Sequence, residues 1–218
     1  MSESGKEKKR RYSSAQDPTR DRILTAALEC ISQTSINALS VRAIAARAGV
    51  NVATVHYYFG TKDAIVTKAL ERFFDQVVVL FEASMDADTD PKERLRRFLT
   101  AYTTLFHKNP GVFASMTEAI SASIVRQETG RPTSAELVLV GMISKVKERL
   151  MGLIREAAGI EDEEVLMFKT IQLMTSLMHP ALISTIPHSL FDIDFSDEAN
   201  RTRYIDLTIS SLVDAGGR

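Results

Sequence analysis

The segment over residues 40–63, SVRAIAARAGVNVATVHYYFGTKD, constrains the fold most, because it predicts two short helices joined by a tight turn. Ser40 is a favourable N-cap for the first helix, and Gly49 can adopt the left-handed conformation that ends it. Asn51 is a favourable N-cap for the second helix. Two short helices connected in this way form a helix-turn-helix, which places its second helix in the major groove of DNA.

The second helix of this motif, over residues 52–58, has one side for anchoring and other sides that are free to meet DNA. Val55 and Phe59 lie one turn apart and are expected to pack against the rest of the domain. We predict a base-reading surface from Val52, Ala53, His56 and Tyr57. We predict phosphate contacts, which position a helix without reading the sequence, from Thr54, Tyr58 and Lys62.

The net charge of −1 conceals an uneven distribution of charge along the chain. Residues 1–62 contain 10 Lys and Arg against 5 Asp and Glu, whereas residues 63–218 contain 17 against 23. The first part therefore carries a net charge of +5, and the rest carries −6. A basic head on an acidic body is typical of a phosphate-binding module attached to a domain that does not bind nucleic acid.

The composition favours an all-α protein that stays in the cytoplasm. Only 10 of the 218 residues are Gly and 6 are Pro, so signals for turns are sparse, while strong helix formers are abundant. The single cysteine, Cys30, excludes an intramolecular disulfide and a zinc cluster built from cysteines. Neither a signal-peptide pattern nor an apolar run of about 18 residues is present. A cytoplasmic protein is therefore expected.

A polar arm precedes the first predicted helix. Residues 1–17 are predicted to be disordered and contain the basic run Lys6, Lys8, Lys9, Arg10 and Arg11. The arm is either a solvated tail or a source of additional phosphate and minor-groove contacts, and the sequence leaves both open. Asp17 as N-cap and Pro18 at the first helical position predict where the first helix begins.

Short motifs spread over residues 18–65 have a joint spacing that chance rarely produces. They are Arg22-Ile23-Leu24, Ala26-Ala27-Leu28, Leu39-Ser40-Val41-Arg42-Ala43-Ile44-Ala45, Ala48-Gly49-Val50, Tyr57-Tyr58-Phe59 and Lys62-Asp63. Together they resemble the DNA-binding domain of TetR-family transcriptional regulators. The resemblance implies that Ser40, Val41 and Arg42 contact phosphates at the start of the second of the domain's three helices, which is the first helix of the helix-turn-helix, together with Tyr58 and Lys62.

The resemblance also implies an architecture and a set of partners. It implies a homodimeric repressor that binds a palindromic operator in double-stranded DNA, with half-site centres about 34–36 Å or somewhat more apart. The all-helical body, residues 66–218, is implied to bind a small-molecule effector and to dimerise through its last two helices. The expected fold class is all-α, with a three-helix DNA-binding domain over residues 18–65 joined to this larger domain.

Apolar periodicity predicts the helices of the body. They cover residues 62–83, the stretch from Pro91 to a break at Asn109-Pro110-Gly111, and residues 112–125, 134–158, 162–178 and 197–213. Pro180 and Pro187 are predicted to lie in a broken link between the last two helices. These two helices are apolar on more than one side, which fits either a dimeric four-helix bundle or an ordinary position in the core.

Aromatic and methionine side chains in the body are candidates for lining an apolar effector cavity. They are Phe81, Tyr102, Phe106, Phe113, Met116, Ile120, Met142 and Met174. The alternative is that these side chains simply fill the core. No two histidines of the body share an i, i+4 spacing, so neither a metal site nor a cofactor is predicted.

Two other functions compete with a ligand-controlled repressor. A helical enzyme is disfavoured, because the sequence contains no glycine-rich phosphate loop, nucleophile elbow or metal-ligand spacing. An effector-independent DNA-binding protein would not need a body of this size. The function predicted is therefore a dimeric, sequence-specific transcriptional repressor that a small molecule releases from its operator.

Overall fold

The part of the chain that the structure describes, residues 17–125, 132–183 and 193–214, forms nine helices and no strand in a computed structural model. They are α1 (Pro18–Gln33), α2 (Val41–Ala48), α3 (Val52–Phe59), α4 (Lys62–Ser84), α5 (Pro91–Lys108), α6 (Pro110–Val125), α7 (Ser134–Ala158), α8 (Glu163–Ile183) and α9 (Glu198–Asp214). The prediction of an all-α protein is confirmed. The predicted N-terminal arm, apart from its last residue, lies outside the described residues.

The first three helices pack around a small apolar core. Ile23 of α1, Ile44 of α2 and Val55 of α3 are all completely buried. The Asp17 carboxylate accepts a hydrogen bond from the backbone N–H of Thr19 at 2.9 Å, so α1 begins with the predicted cap. This core fixes the orientation of α3 relative to the rest of the domain.

Helix α4 links the N-terminal helices to the body. Ile65 and Val66 near its start are buried, as are Phe73 and Val77 further along. The helix packs against α1, α5 and α7. One continuous helix therefore contributes to the cores of both parts of the chain, as its strongly apolar sequence predicts.

Helix α7 is the central helix of the body, since it packs against α4, α5, α6, α8 and α9. Leu139, Leu150 and Ile154 are buried along it. At its start, Thr133 and Glu136 form a capping box in which each side chain accepts a hydrogen bond from the other residue's backbone N–H. Because α7 begins at a defined residue, the positions of its side chains against the neighbouring helices are also defined.

The predicted break between α5 and α6 is too long. A single residue, Asn109, separates the two helices, and α6 begins at Pro110 rather than at residue 112. Proline is favourable at the first position of a helix because its missing N–H would have no partner there. The Asn109 carbonyl accepts a hydrogen bond from the Val112 N–H at 3.1 Å, which starts the first turn.

The predicted end of α8 near residue 178 is wrong, because the helix continues through Pro180 to Ile183. Proline has no N–H to donate to the carbonyl of Ser176, four residues earlier. The Tyr204 hydroxyl of α9 donates to that carbonyl instead, at 3.0 Å. The interior proline therefore leaves no unpaired acceptor at Ser176. Pro187, the second predicted breaker, lies outside the described residues.

Candidate nucleic-acid interface and apolar cavity

The turn between α2 and α3 has the geometry that its sequence predicts. The Ser40 hydroxyl oxygen accepts a hydrogen bond from the Ala43 N–H at 3.1 Å, which caps α2. Gly49 ends α2 in the left-handed region, with φ 64° and ψ 37°. The N–H of Val50 then donates to the carbonyl of Ala45 at 3.0 Å. These caps fix α2 and α3 as a helix-turn-helix.

Helix α3 is capped by Asn51 and held by its apolar side. The Asn51 Oδ1 accepts from the Thr54 N–H at 2.7 Å and from the Thr54 hydroxyl at 2.9 Å. Val55 is completely buried, as the anchoring role requires, and Phe59 is half-buried beneath the guanidinium of Arg20, 5.3 Å from the ring centroid. The hydroxyl of Thr54 is therefore already engaged within the helix cap.

The outward side of α3 is open to solvent. Ala53, His56 and Tyr57 are exposed, and the exposed fraction of Tyr57 reaches 71%. Val52, the fourth residue predicted for base reading, is only half-exposed because it also packs against the core. A tyrosine this exposed on a helix of eight residues is available to a partner that approaches from outside.

The imidazole of His56 has a fixed orientation on this surface. Its Nδ1 lies 2.8 Å from the carbonyl oxygen of Gly60, and a carbonyl can only accept, so Nδ1 carries the proton. The Nε2 is then the acceptor of the neutral ring. An acceptor at this position can pair with the amino group of adenine or cytosine at a base edge.

Tyr58 has an intramolecular partner that the sequence did not indicate. Its hydroxyl donates to Asp17 Oδ2 at 2.7 Å, which joins α3 to the N-terminus of α1. The hydrogen bond from Tyr58 lowers the pKa of the Asp17 carboxyl below 3.8, and the same bond raises the pKa of the Tyr58 phenol above 10.0. A phosphate contact by this hydroxyl would have to compete with the carboxylate.

The remaining residues predicted to contact phosphate lie near two helix N-termini. Ser40 and Arg42 are exposed at the start of α2, with Val41 half-buried between them. Lys62 is half-buried at the first position of α4, directly after the Thr61 cap. The N–H groups of a helix N-terminus point outward and favour anions, so both positions suit a DNA backbone. The structure contains no DNA, and these contacts stay predictions.

An apolar cavity of about 90 Å³ lies in the body. Its walls come from α5, α6, α7, α8 and α9 and from the turn before α9. Among the residues predicted for an effector site, those that line it are Tyr102, Phe106, Phe113, Met116, Ile120, Met142 and Met174. The sequence thus selected side chains that converge on one space, and their role in binding a ligand stays a prediction.

Phe81 is the predicted cavity residue that does not line this space. Its ring packs edge-on against Phe98, with ring centroids 5.3 Å apart. The guanidinium of Arg149 lies over the Phe81 ring at 5.3 Å from its centroid. Phe98 therefore stands between Phe81 and the cavity, and Phe81 supports the wall from behind.

Several lining residues were not predicted from the sequence. They are Phe98, Thr103, His107, Ile143, Val146, Leu150, Leu177, Phe195 and Arg201. Most are apolar residues on helix faces that the sequence assigns to the core. Arg201 is the chemically distinctive one, but a charged residue in a mixed helix normally indicates a solvent-facing side. Nothing in the local sequence distinguishes it from its neighbour Arg203, which is exposed.

Tyr102 is the most polar of the predicted lining residues. Part of its surface faces the cavity, and the protein shields it from bulk water. This burial raises the pKa of the phenol well above its usual value, so the hydroxyl keeps its proton. The group can therefore act as a hydrogen-bond donor inside the cavity.

The described ranges contain neither a membrane-spanning helix nor a cluster of metal ligands. None of the helices there is both long enough and apolar enough to cross a membrane. No three His, Cys, Asp or Glu side chains of those residues come together in a way that would hold a metal ion.

Comparison with known proteins points to a single family. Residues 23–69 match the family described as "Bacterial regulatory proteins, tetR family". The HTH-type transcriptional repressor KstR of Mycolicibacterium smegmatis is 33% identical over 107 residues, which is 49% of this chain and 52% of that protein. KstR of Mycobacterium tuberculosis matches equally, with 33% identity over 107 residues, 49% of each chain. The chain thus spans about half the length of the curated relatives it matches.

The whole described fold is similar to a solved member of this family. A TetR transcriptional regulator from Legionella pneumophila superposes with a TM-score of 0.69 at 21% identity, covering 89% of this chain and 99% of the other. The similarity extends beyond the N-terminal helices into the body. The family is one of regulatory proteins rather than of enzymes. Residues 23–69 therefore carry the domain of the tetR family of bacterial regulatory proteins.

Proposed function

We propose that this protein is a dimeric transcriptional repressor that binds a palindromic operator through α3 and is released by a small effector in the apolar cavity. The observation that carries the proposal is the outward side of α3, where Ala53, His56 and Tyr57 are exposed while Val55 is buried. A helix anchored on one side and open on the other is suited to the major groove. The relatives named KstR are repressors, which supports the same role here.

The charge distribution supports DNA as the partner of this surface. Residues 1–62 carry a net charge of +5, and the acidic remainder of the chain carries −6. Attraction to phosphates therefore acts on the N-terminal part, while the body is repelled from DNA. This arrangement orients the protein so that α3 approaches the duplex first.

A second copy of the chain is the partner we propose for α8 and α9. On α8, Leu166, Leu173 and Leu177 are buried, whereas Phe168 on another side is 57% exposed. On α9, Leu207 is 62% exposed. Val165 and Ile171 extend the exposed apolar side of α8. A four-helix interface built from α8 and α9 of two subunits would cover these side chains.

The direct test is DNA binding measured by fluorescence anisotropy against salt. Labelled fragments of the region upstream of the gene for this protein are titrated with the full chain between about 50 and 200 mM salt. Affinity should fall steeply as salt rises, because bound phosphates release counterions. Absence of binding to every fragment at low salt would refute the proposed function.

Two substitutions distinguish a residue that reads the bases from a residue that contacts the DNA phosphates. His56→Ala should alter the preference among operator variants, because Nε2 faces a base edge in the proposed complex. Lys62→Ala should weaken binding to all variants by a similar factor and lower the salt slope by about 1. Lys92→Ala, which removes an exposed lysine from the body away from the cavity, serves as the control. Unchanged discrimination by the His56 variant would contradict this orientation of α3.

A further inference from the structure

The wall of the apolar cavity contains a guanidinium with one buried donor that has no hydrogen-bond partner. Arg201 of α9 lines the cavity, and its Nη1 donates to the carbonyl oxygens of Phe195 at 2.8 Å and Ser196 at 2.6 Å. Its Nε is buried and has no hydrogen-bond partner. No carboxylate of the described residues forms an ion pair with this guanidinium.

The free part of this guanidinium has a shape that selects its partner. With Nη1 engaged by backbone carbonyls, Nε and Nη2 of Arg201 remain, and they form one edge of the planar group. Two parallel N–H groups on one edge match the two oxygens of a carboxylate. The Nε–H of Arg201 is buried without an acceptor, which is unfavourable, so a ligand that supplies an acceptor with a negative charge is favoured at this edge.

The other residues that line the cavity determine which chemical group can accompany the carboxylate. Phe98, Phe113, Met116 and Met142 provide apolar walls, and the volume is about 90 Å³. Such walls favour a compact aryl or alkyl body, and the flexible methionines adjust to its outline. Tyr102 adds one uncharged hydroxyl, which forms no hydrogen bond with a described residue. A phosphate would place two negative charges beside a single cation, so the site favours the single charge of a carboxylate.

We propose that the cavity binds a compact apolar carboxylate, with the carboxylate on the Nε–Nη2 edge of Arg201 and the apolar body among the phenylalanine and methionine side chains. This inference rests on the proposed function, since it names the chemical class of the effector for the same cavity. Tyr102 is a second donor inside the cavity that the ligand's polar end can reach.

The test compares acids with their neutral amides by isothermal titration calorimetry on the full chain. The probes are 4-phenylbutyrate with 4-phenylbutanamide, and hexanoate with hexanamide. Each acid should bind at least about tenfold more tightly than its amide, because the amide cannot balance the cation. Equal affinity of acid and amide would overturn the proposal, as would no binding of either acid up to about 1 mM.

Two arginines of the same helix give a matched pair of variants. Arg201→Met should remove the preference for the acids and leave the amide affinities within about twofold. Arg203→Met, at an exposed position two residues further on, should behave as the wild type. A preference that survives in Arg201→Met, or is lost equally in Arg203→Met, would overturn the proposal.

A third variant is needed because Arg201 also bonds the carbonyls of Phe195 and Ser196, so its replacement could unfold the protein. Thermal unfolding monitored by circular dichroism reports whether Arg201→Met is folded. If it is not, Arg201→Lys keeps the charge and loses the two-pronged edge, so the acid preference should fall but not vanish. An undiminished acid preference in Arg201→Lys would show that the edge does not bind the carboxylate.

The ligand class and the proposed function can fail separately. Operator binding is measured in parallel by fluorescence anisotropy, without any effector. Intact DNA binding together with equal affinity for acids and amides would reject the carboxylate and leave the repressor. Loss of DNA binding at low salt would reject the repressor instead.

Discussion

Replacing Gly111 by alanine should destabilise the protein, because this glycine lies against the backbone of another helix. A Cβ at Gly111 would lie 1.9 Å from the carbonyl oxygen of Ile31, 2.9 Å from the Thr34 nitrogen and 3.0 Å from the Ser32 carbonyl carbon. All three neighbours are backbone atoms at the end of α1. No flexible side chain is present at this contact to move out of the way.

The magnitude follows from the displacement that the methyl group requires. Real Cβ atoms essentially never approach within 3.0 Å of another heavy atom, so α1 and α6 must separate locally by about 1 Å. Nearby, the Ser32 hydroxyl donates to Asn109 Oδ1 at 2.6 Å, and the Ile36 N–H donates to Ser115 Oγ at 3.0 Å. Overpacking commonly costs about 1–3 kcal/mol, and stretching these hydrogen bonds places Gly111→Ala near the upper end.

Urea unfolding followed by circular dichroism measures this loss, and the chain supplies its own controls. A loss of about 3 kcal/mol would lower the midpoint of thermal unfolding by about 6–12 °C in a protein of this size. Gly141 and Gly152 of α7 have open space where a Cβ would be, so alanine there should stabilise by about 0.5–1 kcal/mol. A Gly111→Ala protein as stable as the wild type would refute the close contact between α1 and α6.

Three further predictions test the interface, a cap and a hydrogen bond. Phe168→Asp should convert the proposed dimer to a monomer in sedimentation velocity, whereas Leu137→Asp, equally exposed on α7, should not. A dimer in both variants would exclude α8 from the interface. Gly159→Ala should cost about 1 kcal/mol in urea unfolding, because φ is 64° there, and no loss would contradict that conformation. The Asp17 hydrogen bond contributes stability above about pH 4 that is lost as pH falls through the lowered folded pKa. Tyr58→Phe should raise that pKa in an NMR titration, and an unchanged midpoint would exclude the bond.

Local signals in the sequence predicted the helix-turn-helix well. Ser40, Gly49 and Asn51 act at the positions expected of them, because capping and left-handed turns depend on a few consecutive residues. The burial of Val55 followed from helical spacing for the same reason. The resemblance to the TetR family rested on these residues and is confirmed by the match over residues 23–69.

Contacts between distant parts of the chain were not predictable in this way. The sequence predicted that Gly111, beside Pro110, breaks the helix, yet Gly111 lies within α6. A glycine is required there because the backbone of α1 lies too close to leave room for a Cβ. The bond from Tyr58 to Asp17 joins residues 41 positions apart, and Tyr204 supplies the donor that lets α8 pass Pro180. Each depends on tertiary packing, which overrides the local preference of a proline, a glycine or a tyrosine.

The cavity and the α1 contact meet on the same helix, which bears on how an effector can influence α3. Phe113 and Met116 of α6 line the cavity, while Gly111 of the same helix lies against the backbone at the end of α1 and Ser115 accepts a hydrogen bond from Ile36 just beyond it. Protein interiors are close-packed, so a ligand larger than the cavity must displace at least one wall. A displacement of α6 acts on backbone atoms of α1, where no side chain can absorb it. Since α1 packs directly on α2 and is bonded to α3 through Asp17, we expect such a displacement to reach the DNA-binding helices as movement of a packed unit.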